Sequence, residues 1–164
     1  MSVADAAWEK KVSVLWADID KCDAVDFVAR IEELAAELPP GNAIGLFERG
    51  AALDSTGHSD RAVPLYSAAL EKGLVGERRR RAVIQMASSL RNLGKANDAV
   101  NLLTAEVNAA SDNLDGAVAT FLALALVDVG REREAVAVAV TALSKYLPRY
   151  NRSVARYAQE LMLS

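Results

Sequence analysis

Apolar residues recur at intervals of three and four along most of this chain, a spacing that predicts amphipathic helices. A first helix is predicted from Ala6 to Ile19. A second is predicted to begin after Asp23 as its N-cap and to run to about Glu37, where a Pro-Pro-Gly sequence stops it. The buried face of the first helix is expected to consist of Trp8, Val12, Leu15, Trp16 and Ile19.

Three glycines then lie at almost equal intervals, at Gly57, Gly94 and Gly130. A tiny residue precedes each of them by seven positions, and an alanine follows each by five. Small residues that recur together at one period indicate an internal repeat. Because helical spacing flanks each glycine, every unit is predicted to be a helix, a turn with a left-handed glycine, and a second helix. The alanines expected at the crossings of the paired helices are Ala62, Ala99 and Ala135.

The repeat unit resembles the tetratricopeptide repeat, whose pattern places small and aromatic residues at fixed positions. Gly50, Ala62, Tyr66 and Ala69 match that pattern in the first unit, whereas the later units keep the alanines and lose the aromatic residues. The resemblance covers residues 43–147. It implies an all-α fold, a right-handed α-solenoid of helical hairpins with about nine helices and no sheet.

Two stretches, His58–Tyr66 and Ile84–Gly94, are also similar to a bacterial subfamily of small, stand-alone tetratricopeptide proteins that are thought to dimerise. The alternating residues Ala135–Val140 would by themselves favour a strand, but their register with the other units favours a helix. We therefore expect one domain over 1–164, because repeats bury their faces only against neighbours and need capping ends. Its parts are a degenerate hairpin at 5–40, three repeats at 43–147 and a capping helix at 149–163.

The first helix of each tetratricopeptide hairpin lines a concave groove, so the resemblance implies that a protein or peptide partner binds there. The Lys and Asn that clamp a terminal carboxylate in some relatives are absent at the matching positions, so we expect no clamp of that kind. The middle repeat forms the polar centre of the groove. Its side chains could bind a peptide backbone, or their hydrogen bonds could be satisfied by neighbouring residues. The candidate groove residues are Phe47, Glu48, Asp54, Arg81, Gln85, Ser88, Arg91, Asn92 and Phe121.

One further pattern concerns charge at equivalent positions near the turns. Asp54 and Arg91 each lie three residues before a turn glycine, and Asp128 lies two before the next. Equivalent positions on stacked repeats are neighbours, with helix axes about 10 Å apart. Arg91 is therefore predicted to reach Asp54 on one side, and it could also reach Asp128 on the other.

Composition narrows the function further. The net charge of −3 argues against a broad nucleic-acid surface. Met1–Lys11 lacks a signal-peptide core, and the longest apolar run, Ala117–Val127, is far below the ~20 residues that span a bilayer, so we expect a cytoplasmic protein. The third repeat has more apolar surface than a monomer's core needs, which predicts a homodimer interface either there or on the capping helix near Tyr150, Tyr157 and Leu161.

The densest charge cluster is the run Arg78–Arg81. It could bind nucleic acid, phosphate or an acidic peptide, or it could form ion pairs between helices. Successive helical residues point about 100° apart, so the four cannot form one patch, and ion pairs are favoured. The run lies near the start of a predicted helix, where the positive end of the helix dipole repels arginine. Acidic partners such as Glu48 or Glu77 are therefore expected.

The remaining chemistry is sparse. His58 and Cys22 are each the only residue of their type, and both are interpreted as non-catalytic. No phosphate loop, metal motif or nucleophile motif occurs. The chain is therefore predicted to be a non-catalytic adaptor or scaffold without cofactor or metal. A nucleic-acid or phosphate binder, or a small-ligand receptor, is the alternative.

Overall fold

The computed structural model of the chain describes residues 4–109 and 111–163. Nine α-helices and one short 3-10 turn occupy these residues, and no strand occurs among them, so the predicted all-α fold is confirmed. The 3-10 turn spans Ile19–Lys21. The helices are α1 (Ala6–Ala17), α2 (Ala24–Ala36), α3 (Ala43–Ser55), α4 (Ser59–Glu71), α5 (Gly76–Asn92), α6 (Ala96–Ala109), α7 (Asp115–Asp128), α8 (Glu132–Ser144) and α9 (Asn151–Leu163).

The chain forms two compact units, of which the first ends at Ser89 and the second begins at Leu90. In the first unit, α2 packs on α1 and on α3, and α3 packs on α4. In the second unit, α6 packs on α7, α7 on α8 and α8 on α9. These consecutive helices are packed neighbours, as in a helical-repeat protein. The organisation of 1–164 as one domain stays a prediction.

The ends of the outer helices follow local hydrogen bonding. The predicted N-cap Asp23 is confirmed, since its carboxylate accepts the backbone N–H of Val25 at 2.9 Å. The prediction that the first helix reaches Ile19 is wrong by two residues, because the chain tightens after Ala17 into the 3-10 turn. The last helix begins at Asn151 rather than near 149, because Tyr150 has a left-handed φ of 66° that no α-helix accepts.

The three turn glycines have the predicted left-handed conformation, with φ values of 86°, 73° and 74° at Gly57, Gly94 and Gly130. In each case the next residue donates its backbone N–H to the carbonyl of a leucine in the preceding helix, at 2.8–2.9 Å. This bond closes the end of a helix and reverses the chain. A side chain at any of the three would meet no atom within 4 Å, so the backbone conformation alone selects glycine.

The small residues of the repeat are buried among the helices. Ala62, Ala99 and Ala135 are buried, as predicted. Gly50 on α3 faces the ring of Tyr66 on α4, and a Cβ added there would lie 3.1 Å from that ring. The Gly50–Tyr66 pair therefore sets a close crossing of α3 and α4, which explains the combination of a tiny and an aromatic residue in this repeat.

Candidate functional site

A buried charge network connects three helices of the first unit. Glu48 on α3 is only 3% exposed, and its carboxylate accepts Nε of Arg78 and Nε1 of Trp16, each at 2.8 Å. The other two nitrogens of Arg78 bind both carboxylate oxygens of Glu9 on α1, at 2.6 and 2.8 Å. Burial alone would lower the pKa of Arg78, but the bonds and charges of the two glutamates outweigh it and raise that pKa. We call these four residues the Arg78 network.

Phe47 lies beside this network and is completely buried. The guanidinium of Arg81 lies 5.3 Å from the centre of its ring. Trp16 packs against the hydrophobic cluster that contains Phe47. Two candidate groove residues, Phe47 and Glu48, thus lie beneath α1 and the arginines of α5. Their side chains form core and network contacts instead of an accessible surface.

A second polar cluster occupies the inner part of the same unit. The carboxylate of Asp54 accepts the hydroxyl of Ser89 at 2.6 Å and faces the hydroxyl of Tyr66 at 3.4 Å. That hydroxyl also lies 3.3 Å from the side-chain oxygen of Gln85. Burial, followed by the charge of Asp54, raises the pKa of Tyr66. Asp54 and Gln85 are therefore held by internal hydrogen bonds, while Ser88 on the next turn of α5 is half-buried.

In the second unit, Arg91 forms an ion pair with Asp128, with Nε 2.5 Å from Oδ2. This confirms the part of the charge ladder that joins α5 to α7. The part that would join Asp54 to Arg91 spans both units and stays a prediction. Asn92 is exposed at the end of α5, and Phe121 is half-buried on α7.

An exposed apolar strip runs along α7. Thr120, Leu124 and Val127 lie on one side of this helix at helical spacing, and the last two are 44% and 49% exposed. They lie ten, six and three residues before Gly130, as Phe47, Ala51 and Asp54 lie before Gly57, so the repeat alignment assigns them to the groove side of the third hairpin. We call them the α7 strip. It lies next to Asp128 and its ion pair with Arg91.

The run Arg78–Arg81 does not form an exposed basic cluster. Arg80 is buried, and the other three arginines are half-buried. The expected ion pair with Glu48 is present, but sequence reasoning missed Glu9, which is remote in the chain. His58 occupies the exposed N-cap position of α4, and Cys22 is half-buried with its sulfur 3.5 Å from a nitrogen of Arg30.

Among the residues that the structure describes, no group of three or more His, Cys, Asp or Glu side chains is placed to hold a metal ion. Within the same ranges, every helix is too short or too polar to cross a membrane.

Helical hairpins closed by left-handed glycines and packed through buried alanines define a helical-repeat scaffold. A family model described as "Tetratrico peptide repeat" matches residues 43–161, which is more than half of the chain. The chain therefore belongs to the tetratricopeptide-repeat family. Membership indicates a protein–protein interaction module, and the family is generally a non-catalytic fold. Searches of curated proteins and of solved structures gave no match.

Proposed function

We propose that this protein is a non-catalytic adaptor or scaffold that binds a segment of a protein partner along the first helices of its hairpins. The observation that carries the proposal is the α7 strip, where Leu124 and Val127 stay about half exposed at groove-lining positions. Burying a side chain of this kind fully contributes about 1.5–3 kcal/mol relative to leaving it in water. A partner segment with apolar side chains would gain part of that free energy.

The surroundings of the strip favour a protein partner. The Arg91–Asp128 ion pair borders it and offers both a donor and an acceptor to a peptide backbone. Protein interfaces combine an apolar centre with a polar rim in this way. We propose that the partner contacts Ser88, Arg91, Asn92 and Phe121. We propose that the other candidate residues hold the groove helices in place through their internal contacts; these are Phe47, Glu48, Asp54, Arg81 and Gln85.

We also propose that the protein self-associates through α9. On this helix Tyr157, Met162 and Leu163 are more than half exposed, as is Tyr150 just before it, which is unusual for large apolar residues so close together. Sedimentation of the wild type and of Tyr157→Ser tests this, and the dimer should weaken in the variant. A clean monomer of the wild type at micromolar concentration would remove the proposal. The cytoplasmic location and the bacterial subfamily stay predictions.

The partner-binding proposal is tested by quantitative capture of partners from a lysate with three forms of the full chain. These forms are the wild type, the double variant Leu124→Ser/Val127→Ser, and the control Val107→Ser. Val107 has a similar exposure of 48% but lies on α6, the second helix of its hairpin. We expect the double variant to lose the bound partner and the control to keep it. Equal capture by both would contradict a groove on α7.

A further inference from the structure

Helix α1 contacts the side of the repeats on which a partner is expected to bind. It precedes the family match, which starts at residue 43. It nevertheless contacts two first helices of the repeats, since Trp16 bonds to Glu48 on α3 and Glu9 bonds to Arg78 on α5. In this family the first helices form the partner-binding side. The residues that α1 covers include two that the sequence assigned to the groove.

We propose that the surface of α3 and α5 around Glu48 and Arg78 is a helix-binding site, that α1 is its resident occupant, and that it accepts a partner helix of the same chemistry. That partner is an amphipathic helix with a carboxylate two turns before a tryptophan. The inference rests on the proposed function as a binding module, and it names a second surface and its partner class.

The chemistry of the site defines this class of helix. Glu9 and Trp16 are seven residues apart, so they lie on one side of α1 two turns apart. The planar guanidinium of Arg78 donates to both oxygens of one carboxylate, that of Glu9. A partner side chain with an ammonium or amide group in place of the carboxylate would not reproduce this geometry. Glu48 accepts an N–H, which the indole supplies at 2.8 Å while its ring packs on the cluster around Phe47. An acidic group and an indole at this spacing therefore satisfy both receptor residues.

The burial of Glu48 makes the site selective. With α1 in place, Glu48 is 3% exposed and its carboxylate takes one of its two donors from α1, while Arg78 takes its bidentate partner from α1. A different helix that covered these residues would shield them from water in the same way. If it supplied no N–H and no carboxylate, it would leave buried polar groups unsatisfied, which is costly. The site therefore favours a helix that restores both contacts.

The α1–α2 contact sets how readily exchange occurs. Trp8 donates its indole N–H to the carbonyl of Leu34 at 2.8 Å, and Val12 is buried beside it. These contacts hold α1 in place without using the receptor residues on α5. Exchange in the wild type is therefore weak. Changes on α1 that remove its hold on Glu48 and Arg78 should make the site more available, because apparent affinity scales with the fraction of binding-competent protein.

The test uses the full chain and a fluorescent peptide with the sequence of residues 4–21. An opened variant, Glu9→Gln with Trp16→Phe, weakens the resident helix and keeps the receptor residues. We expect it to bind the peptide about tenfold more tightly than the wild type. Adding Arg78→Gln, or placing the two α1 changes in the peptide, should abolish that gain. Equal anisotropy titrations for all these pairs would overturn the proposal.

A second measurement covers the case in which a variant folds poorly. Hydrogen exchange of the wild-type chain is followed with and without saturating peptide. The proposal expects faster exchange in α1 and unchanged exchange in α7. Unchanged exchange in α1 would overturn it, even if the α7 variants still lose their partner, so the two proposals fail separately.

Discussion

Arg91 and Asp128 form an ion pair between neighbouring hairpins, with Nε of the arginine 2.5 Å from Oδ2 of the aspartate. The two residues are 37 positions apart in sequence, close to one repeat. Their side chains are 20% and 36% exposed, so water screens the pair in part. The pair therefore joins the last turn of α5 to the end of α7 within the second unit, and it contributes little to the stability of the fold.

Replacing Arg91 should accordingly have a small effect. We expect Arg91→Ala to lower the free energy of unfolding by about 0–1 kcal/mol, because partly exposed ion pairs contribute little. Urea unfolding of Arg91→Ala, Asp128→Ala and the double variant gives the coupling energy. A coupling above about 3 kcal/mol would show a buried pair and would contradict this account.

Gly94 tests the turn that closes each hairpin. Gly94→Val should lower the free energy of unfolding by more than about 1 kcal/mol, since a branched residue is strained at a φ of 73°. No atom lies near the added Cβ, so the cost reflects the backbone and not a clash. Gly94→Asn is the control, because asparagine tolerates this conformation, and it should lose less. Equal losses in chemical denaturation would refute the argument.

Ala99 tests the close crossing of helices. Because it is fully buried, Ala99→Leu should overpack the second unit and cost about 1–3 kcal/mol. Ala105→Leu places the same substitution at an exposed position of α6 and should stay within about 0.5 kcal/mol of the wild type. Thermal melting of both variants decides the point. An unchanged melting temperature for Ala99→Leu would show that the repeat alignment is wrong.

Tyr66 should make stability depend on alkaline pH. Burial, followed by the charge of Asp54, raises the pKa of its phenol in the folded state. An unfolded tyrosine loses its proton near pH 10, so the raised pKa contributes stability that is fully present below that pH. Above it, the wild type should lose up to about 1.4 kcal/mol per pH unit relative to Tyr66→Phe, until the folded pKa is reached. Parallel pH profiles in urea unfolding would contradict this.

The turns and crossings could be predicted from sequence because each depends on local chemistry. Gly94 needs a conformation that other residues resist, and Ala99 needs the absence of side-chain volume. The partner of Arg78 could be predicted only in part. Glu48 was expected from the helix dipole, but Glu9 lies 69 residues away on a helix with no marker for it. Contacts across that separation follow from how hairpins stack.

Contacts between residues far apart in sequence also decide which groove residues are exposed, so the sequence could predict the side of the groove but not its accessible residues. The repeat register assigned both Phe47 and Leu124 to the groove side of their hairpins. The structure buries the first under Trp16 and Arg81 and leaves the second 44% exposed. What differs is α1, whose approach to α3 has no signal in the repeat pattern.

The central claim is that a protein partner binds the groove-lining first helices. Its most direct test is hydrogen exchange of the full chain with and without a captured partner. The account predicts slower exchange in α7 around Leu124 and Val127 and at the end of α5 near Arg91, with α4, α6 and α8 unchanged. Protection confined to those second helices, or no protection at α7, would contradict it.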